Sequence, residues 1–195
     1  LMSAEVGKKA IDFIIANSGK RRNLEVDFFG GEPLMNFDVV KEIVEYGREQ
    51  EKLHDKNFRF TITTNGILLD DEKQKYINEN MHNVVLSLDG RKEVNDYMRP
   101  RAGGQGSYDI IVPKFQKLAE SRNQTDYYLR GTFTHNNLDF SKDVFHIADD
   151  LGFKQVSVEP VVAESTESYA ITEDDLDTIF EEYEKLAEQL YIRHK

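Results

Sequence analysis

Five short runs in the chain gather residue types that can bind or react: Gly30-Gly31-Glu32-Pro33, Thr63-Thr64-Asn65-Gly66, Ser87-Leu88-Asp89-Gly90, Thr134-His135-Asn136-Asn137 and Glu159-Pro160. Glycine lets a backbone come close to a ligand, and the carbonyls it exposes suit a donor-rich ammonium group. Glu32, Asp89 and Glu159 are hard oxygen donors of the kind that hold magnesium or manganese. Singly, Asn65-Gly66 and Asp89-Gly90 are ordinary turn chemistry, because Asn, Asp and Gly tolerate positive φ. Together, five polar ends exceed what a purely structural sheet requires.

Other chemistries are excluded or weakened by composition. The 195 residues include no cysteine, so the chain offers no disulfide, thiolate metal ligand or thiol nucleophile. His135 is the only histidine at an expected strand end; His54, His82, His146 and His194 fall in loops or helices without HxxxH spacing, which argues against a histidine-rich zinc site. Lys+Arg 25 against Asp+Glu 36 gives a net charge of −11 with no basic stripe, so nucleic acid is not an expected partner. No apolar run approaches the roughly 20 residues that span a bilayer, and nothing resembles an export leader, so no membrane partner is expected and the cytoplasm is the expected compartment. The run from Arg101 through Gly103, Gly104 and Gly106 to Ser107 lacks the Lys-Ser/Thr of a phosphate loop and reads as a flexible approach to a helix.

The five runs need elements to position them. Apolar spacing predicts helices over 3–17, 37–46, 70–80, 107–120 and 141–151, and a last one opening at Thr172 with Glu173, Asp174 and Asp175 in its first turn. The apolar face of that last helix reads Leu176, Ile179, Phe180, Tyr183, Ala187 and Leu190. Strands are predicted over 24–29, 58–64, 84–89, 127–134 and 155–159, so that each run sits at or just past a carboxyl end. Alternating strands and helices imply an α/β fold with a parallel sheet: a closed barrel, a partial barrel or a doubly wound sheet. In the barrels, chemistry belongs at the carboxyl ends of the strands. Period-two alternation puts Ser87 and Asp89 on one face, pointing into a common mouth. Arg130, in mid-strand, needs a partner: Asp27, Glu159 or a ligand.

Gly30-Gly31-Glu32-Pro33, Thr64-Asn65-Gly66, Ser87-Leu88-Asp89-Gly90 and Asn95-Asp96-Tyr97-Met98-Arg99-Pro100, in this order, resemble the core of radical S-adenosylmethionine (SAM) enzymes of the SPASM-containing branch. "FGGEPLMNF", "LSLDGRKEVNDYMRP", "YLRGTFTHNN" and "VSVEPVV" resemble the maturases that form thioether bridges in six-cysteine (SCIFF) peptides, with sulfatase-maturating enzymes as near relatives. The resemblance covers nearly the whole chain. It implies a partial (β/α)6 TIM-like barrel holding SAM over a 4Fe–4S cluster. Gly30, Gly31, Glu32 and Pro33 would line the methionine end of SAM, Ser87 the carboxylate or ribose, Arg99 the carboxylate, and Glu159, Pro160 and Val161 the adenine; Thr64, Asn65, Asp89 and Arg130 would lie near the pocket.

The same resemblance implies that the intact enzyme splits SAM to a 5′-deoxyadenosyl radical and acts on a cysteine-rich precursor peptide, with a reductant such as ferredoxin or flavodoxin. The family's CxxxCxxC is not in this chain. The first strand with its cluster loop is therefore expected upstream of Leu1, residues 1–171 as an incomplete core, and residues 172–195 as a helix leading to an auxiliary-cluster domain. No catalytic residue and no metal ligand is expected in the chain itself, which alone should be inactive. Two rivals remain: an α/β-barrel lyase or hydrolase with a divalent metal on Glu32, Asp89 and Glu159, and a non-catalytic scaffold for a basic peptide leader.

Overall fold

The computed structural model describes residues 1–193; His194 lies outside the described residues. Five parallel strands, β1 (Asn23–Phe28), β2 (Asn57–Thr64), β3 (Asn83–Ser87), β4 (Tyr127–Phe133) and β5 (Val156–Pro160), lie side by side in chain order. A doubly wound sheet reverses its strand order, so sequential order selects the barrel-type alternatives. β1 and β5 form the two edges of the sheet.

Among the described residues seven α-helices precede, connect and follow the strands: α1 (Ala4–Asn17), α2 (Phe37–His54), α3 (Asp71–Asn80), α4 (Lys92–Met98), α5 (Tyr108–Ser121), α6 (Phe140–Phe145) and α7 (Leu176–Arg193). Three of the starts follow capping chemistry: Ser3 accepts from Val6 N and Asp70 from Lys73 N, while Thr172 and Asp175 form a capping box in the turn before α7. α4 is the helix that apolar spacing did not reveal, because its inward residues are polar. The helix expected over 141–151 is α6 followed by a π-type turn over His146–Asp150, closed by Gly152 at φ +79°.

The chain forms two compact units, Leu1–Leu86 and the part from Ser87 onward. In the first, Phe28, Phe58 and Phe60 stack at centroid distances of 5.8 and 5.6 Å under α2. α2 comes so close at Gly47 that a Cβ there would fall 2.6 Å from the Phe60 ring. In the second, Phe115, Leu118, Tyr127, Leu129 and Phe153 are buried. α7 packs Ile179 and Leu186 onto Phe133 and Phe140. Its contact face differs from the predicted stripe: Phe180 is 62% and Leu190 44% exposed, while Glu182 is buried and accepts from the Ser141 amide and hydroxyl. A buried Ser141 needs a hydrogen-bond partner more than the helix needs another apolar contact.

The strands divide their side chains by face. Leu24, Phe28, Phe58, Phe60 and Ile62 in the first unit, and Tyr127, Leu129 and Phe133 in the second, point into helix-covered cores. The alternate positions are polar and reach water: Glu25 and Asp27 with Arg59 and Thr61 in the first unit, Tyr128, Arg130 and Thr132 with Ser157 and Glu159 in the second.

Candidate functional site

At the end of β1 the chain passes through Gly30 and Gly31 into a 3-10 turn, Pro33–Asn36, whose first φ the Pro33 ring fixes. Gly30 sits at φ +140°, a conformation L side chains rarely adopt. Gly31 has no such constraint, and a Cβ placed on either residue meets nothing within 4 Å. Neither packing nor backbone strain accounts for glycine at 31.

Glu32 faces the protein. Its Oε1 accepts from Leu34 N at 3.0 Å and Thr64 Oγ1 at 2.8 Å, and its Oε2 from Asn65 N at 2.8 Å. The carboxylate therefore staples the glycine turn to the end of β2. Thr64, 1% exposed, also accepts from Gly66 N at 3.0 Å, and Asn65 Oδ1 accepts from Ile67 N at 3.0 Å. A cavity of about 730 Å³ adjoins this turn, lined among others by Gly30, Gly31, Asp27, Asn65, Phe29 and Met35. That volume falls within the range of small-molecule sites, roughly 300–1,000 Å³.

In the second unit Ser87 ends β3 half-buried, with no partner for its hydroxyl among the described residues. The alternation expected to carry Asp89 into the same mouth stops there. Asp89 is 2% exposed: its Oδ2 accepts from Arg99 Nε at 2.7 Å, and its Oδ1 from Arg99 Nη2 at 2.9 Å and Thr132 N at 2.9 Å. Arg99 spends two of its three nitrogens on that carboxylate. Asn95, fully buried, accepts from Asp89 N at 3.4 Å and donates to Ser107 Oγ, which donates to the Arg99 carbonyl. The Asn95-to-Arg99 motif is thus a small polar framework around Asp89.

Gly90 follows at φ +141°, where a Cβ would lie 2.3 Å from that of Asp143. Asp143, 0% exposed, accepts from Arg91 N and Nε at 2.9 and 2.8 Å and from Asn137 Nδ2 at 3.2 Å; Arg91 Nη2 reaches Asp139 at 2.8 Å. The Asp143 bond, ahead of that from Asp139, pushes the Arg91 pKa above its ordinary value, so the guanidinium stays charged. Arg130 pairs loosely with Glu159 at 3.6 Å, both side chains about half exposed, which contributes at most about 1 kcal/mol and leaves both reachable. Pro160 ends β5 exposed, and Val161 N donates to Phe133 O at 2.9 Å. His135 Nδ1 lies 2.9 and 3.0 Å from the two oxygens of buried Asp175. Among the described residues no group of three or more His, Cys, Asp or Glu is placed to hold a metal ion, and Glu32 and Asp89 each already accept three hydrogen bonds from the protein, which does not favour the divalent-metal rival.

Asp139 and Asp143 escaped the sequence reading, because their partner Arg91 lies far along the chain and a lone Asp in a polar stretch carries no spacing signal. Asn95, Asn137 and Asp175 are named there only as members of a motif, a strand end and an acidic first turn, not for the bonds they make. Only the capping pattern from Thr172 pointed toward Asp175.

The pattern of the Radical SAM superfamily matches residues 2–129. The chain belongs to the radical SAM superfamily. It is 26% identical over 189 residues to a protein of Methanocaldococcus jannaschii, 97% of this chain and 62% of that one. It is 30% identical to the Fe-coproporphyrin III synthase of Methanosarcina barkeri, over 89% of this chain and 40% of that protein. With the cysteine-type anaerobic sulfatase-maturating enzyme of Clostridium novyi it shares 31% identity, over 54% of this chain and 28% of that enzyme. The chain therefore spans between 28% and 62% of the length of these relatives. In fold it matches anSMEcpe with bound AdoMet at a TM-score of 0.85 and 18% identity, covering 100% of this chain and 54% of that one. The match to anSMEcpe with AdoMet and the Kp18Cys peptide has a TM-score of 0.79 at 19% identity, over 92% and 50% of the two chains. The architecture is the partial TIM-type barrel of these enzymes.

SAM, the superfamily's cofactor, is compatible with what this radical SAM chain presents. Gly30 and Gly31 leave their backbone uncovered beside the cavity, and Ser87 keeps a free hydroxyl. A 4Fe–4S cluster finds no thiolate here, since the chain has no cysteine.

Proposed function

We propose that this chain is the SAM-binding core of a radical SAM enzyme that, as an intact protein, forms Cys-derived thioether bridges in a cysteine-rich ribosomal peptide. The observation that carries SAM binding by these residues is the uncovered Gly30-Gly31 backbone, at a position where packing leaves room for a side chain and the sequence has none. The peptide-modifying reading is supported by sulfatase-maturating relatives and by the match to anSMEcpe with a bound peptide. The thioether outcome rests on the motif resemblance in the segments 29–37, 86–100, 128–137 and 156–162.

When bound, SAM and the cluster would supply the radical chemistry. The chain's part is to bind and orient. By the motif resemblance, the Gly30 and Gly31 carbonyls would hold the ammonium of SAM, Ser87 and the remaining Arg99 nitrogen would serve its carboxylate, and Arg130, Glu159, Pro160 and Val161 would border the nucleoside. Glu32, Thr64, Asn65 and Asp89 hold those groups in place through the hydrogen bonds described.

The test is calorimetric titration of the intact, iron-reconstituted protein with SAM. Gly31→Ala puts its Cβ where nothing lies within 4 Å, so the fold should persist while SAM affinity falls at least about tenfold, the equivalent of 1.4 kcal/mol. Unchanged affinity removes the glycine turn from the site. Mass spectrometry of the peptide product separates thioether formation, which loses hydrogen and keeps sulfur, from the formylglycine outcome of a sulfatase-maturating enzyme, which loses the cysteine sulfur.

A further inference from the structure

His135 stands on the carboxyl end of β4, in the 3-10 turn His135–Asn137, and no SAM-binding role above uses it. Its main-chain N donates to Tyr169 O at 3.1 Å, which fixes the residue's backbone. The ring is fixed from the other side. Nδ1 lies 2.9 and 3.0 Å from the two oxygens of Asp175, whose side chain is 6% exposed while that of His135 is 50% exposed. Asp175 is itself clamped, accepting from Thr172 N at 2.9 Å and Thr172 Oγ1 at 3.1 Å. The Thr172 backbone donor first, and then His135, hold the Asp175 carboxyl below its usual range. An ionised, buried carboxylate on Nδ1 selects the tautomer with the proton there, so Nε2 is left as a lone-pair acceptor facing solvent.

A mere fastener for α7 does not explain this arrangement. α7 is already docked by Phe133, Phe140 and Tyr183, whose rings meet at 4.2 and 4.9 Å, by Glu182 on Ser141, and by Arg193 bidentate on Asp149 at 2.6 and 2.7 Å. None of those contacts needs a half-exposed imidazole. The charged group that the ring meets is Asp175, which Glu173 and Asp174 precede in the same acidic turn.

We propose that His135 is a proton-accepting catalytic residue for the peptide's cysteine thiol, and that Asp175 is its positioning residue. The inference rests on the peptide-maturase reading above. A cysteine must lose its proton before sulfur can bond to carbon, and an ordinary thiol is mostly protonated near neutral pH. In the step, the S–H bond breaks heterolytically, the electron pair stays on sulfur, and the proton passes to Nε2 and then to water along the exposed edge of the ring. No oxidant is consumed. A half-exposed imidazole with one nitrogen fixed on a buried carboxylate, at the carboxyl end of a barrel strand, suits that task.

The experiment uses the intact, reconstituted protein with a synthetic cysteine-containing precursor peptide, and reads thioether bridges formed per 5′-deoxyadenosine released across pH. His135→Gln is expected to lower that ratio about 100-fold. Asp175→Asn removes the carboxylate that fixes the Nδ1 proton and is expected to displace the acidic limb of the profile. Independently of turnover, hydrogen exchange at the imidazole carbon, read by mass spectrometry on a peptide containing His135, should show the same displacement in Asp175→Asn. An unaltered ratio and profile in His135→Gln overturns the proposal. So does a parallel loss of bridges and deoxyadenosine, or a His135 titration insensitive to Asp175. If the wild-type protein releases no deoxyadenosine from SAM, the radical maturase reading falls, while the exchange measurement still decides the dyad.

Discussion

Asp89 and Arg99 should be energetically inseparable, and the structure says by how much. Asp89 is 2% exposed and accepts three hydrogen bonds, two from Arg99 and one from Thr132 N. Removing one member of a buried ion pair costs about 3–5 kcal/mol, because the other charge is stranded. The Arg99 side chain is 32% exposed, so water recovers part of that cost and about 3 kcal/mol is expected for Asp89→Ala. Arg99→Ala leaves the carboxylate with only the Thr132 amide, a loss of about 2–3 kcal/mol. Because each single change already destroys the shared contact, the double variant should fall short of the sum by about 2 kcal/mol. Native-state amide exchange in the intact protein reads this locally: Thr132 and Leu88, whose amide donates to Arg130 O at 3.1 Å, should exchange about 100-fold faster in Asp89→Ala. Additivity of the two changes to within about 0.5 kcal/mol, or unchanged exchange at Thr132, refutes the clasp.

Three further outcomes follow from the same geometry. Glu32→Gln turns an acceptor into a donor opposite Asn65 N, and should destabilise the first unit by about 2 kcal/mol in denaturant unfolding of the intact protein. Gly131→Ala places a Cβ 2.9 Å from the Leu88 carbonyl, backbone that cannot step aside, and should cost about 1–3 kcal/mol and speed exchange along β4. Asp175 has a lowered carboxyl pKa in the folded chain, through the Thr172 amide and then His135. Its contribution is therefore complete above the ordinary carboxylate value near 4 and is lost as pH falls through the lower folded value, so the turn before α7 should open to exchange below about pH 4 but not between pH 5 and 8.

Apolar periodicity carried the strands and most helices, because a half-buried strand or helix must repeat its apolar residues at the period of its geometry. Leu24 to Phe28 and Phe58 to Ile62 announced themselves in this way, and so did the beginning of α2. α4 did not, since its buried residue is Asn95, which a periodicity argument counts as polar and therefore outside. The carboxylates were legible as a group but not in their individual duties. Glu32, Asp89 and Asp143 look alike in sequence, and only folding shows that each is consumed by backbone or guanidinium donors. Gly31 and Ser87 remained uncommitted. The His135–Asp175 pair joins residues separated by the whole of α6 and β5, a distance at which no local pattern survives.

The polar faces of β1–β2 and β4–β5 bear on how any ligand is received. Glu25, Arg59 and Thr61, and likewise Tyr128, Arg130, Thr132 and Ser157, keep their hydration when nothing is bound. A molecule laid on such a surface displaces water held by hydrogen bonds, not water idling against hydrocarbon. Its association should therefore show a modest change in heat capacity and a favourable enthalpy. An analogue that lacks a matching polar atom should be rejected severely, because it strips solvent from a donor or acceptor and returns nothing. Selectivity on these faces would then come from unmet hydration more than from shape.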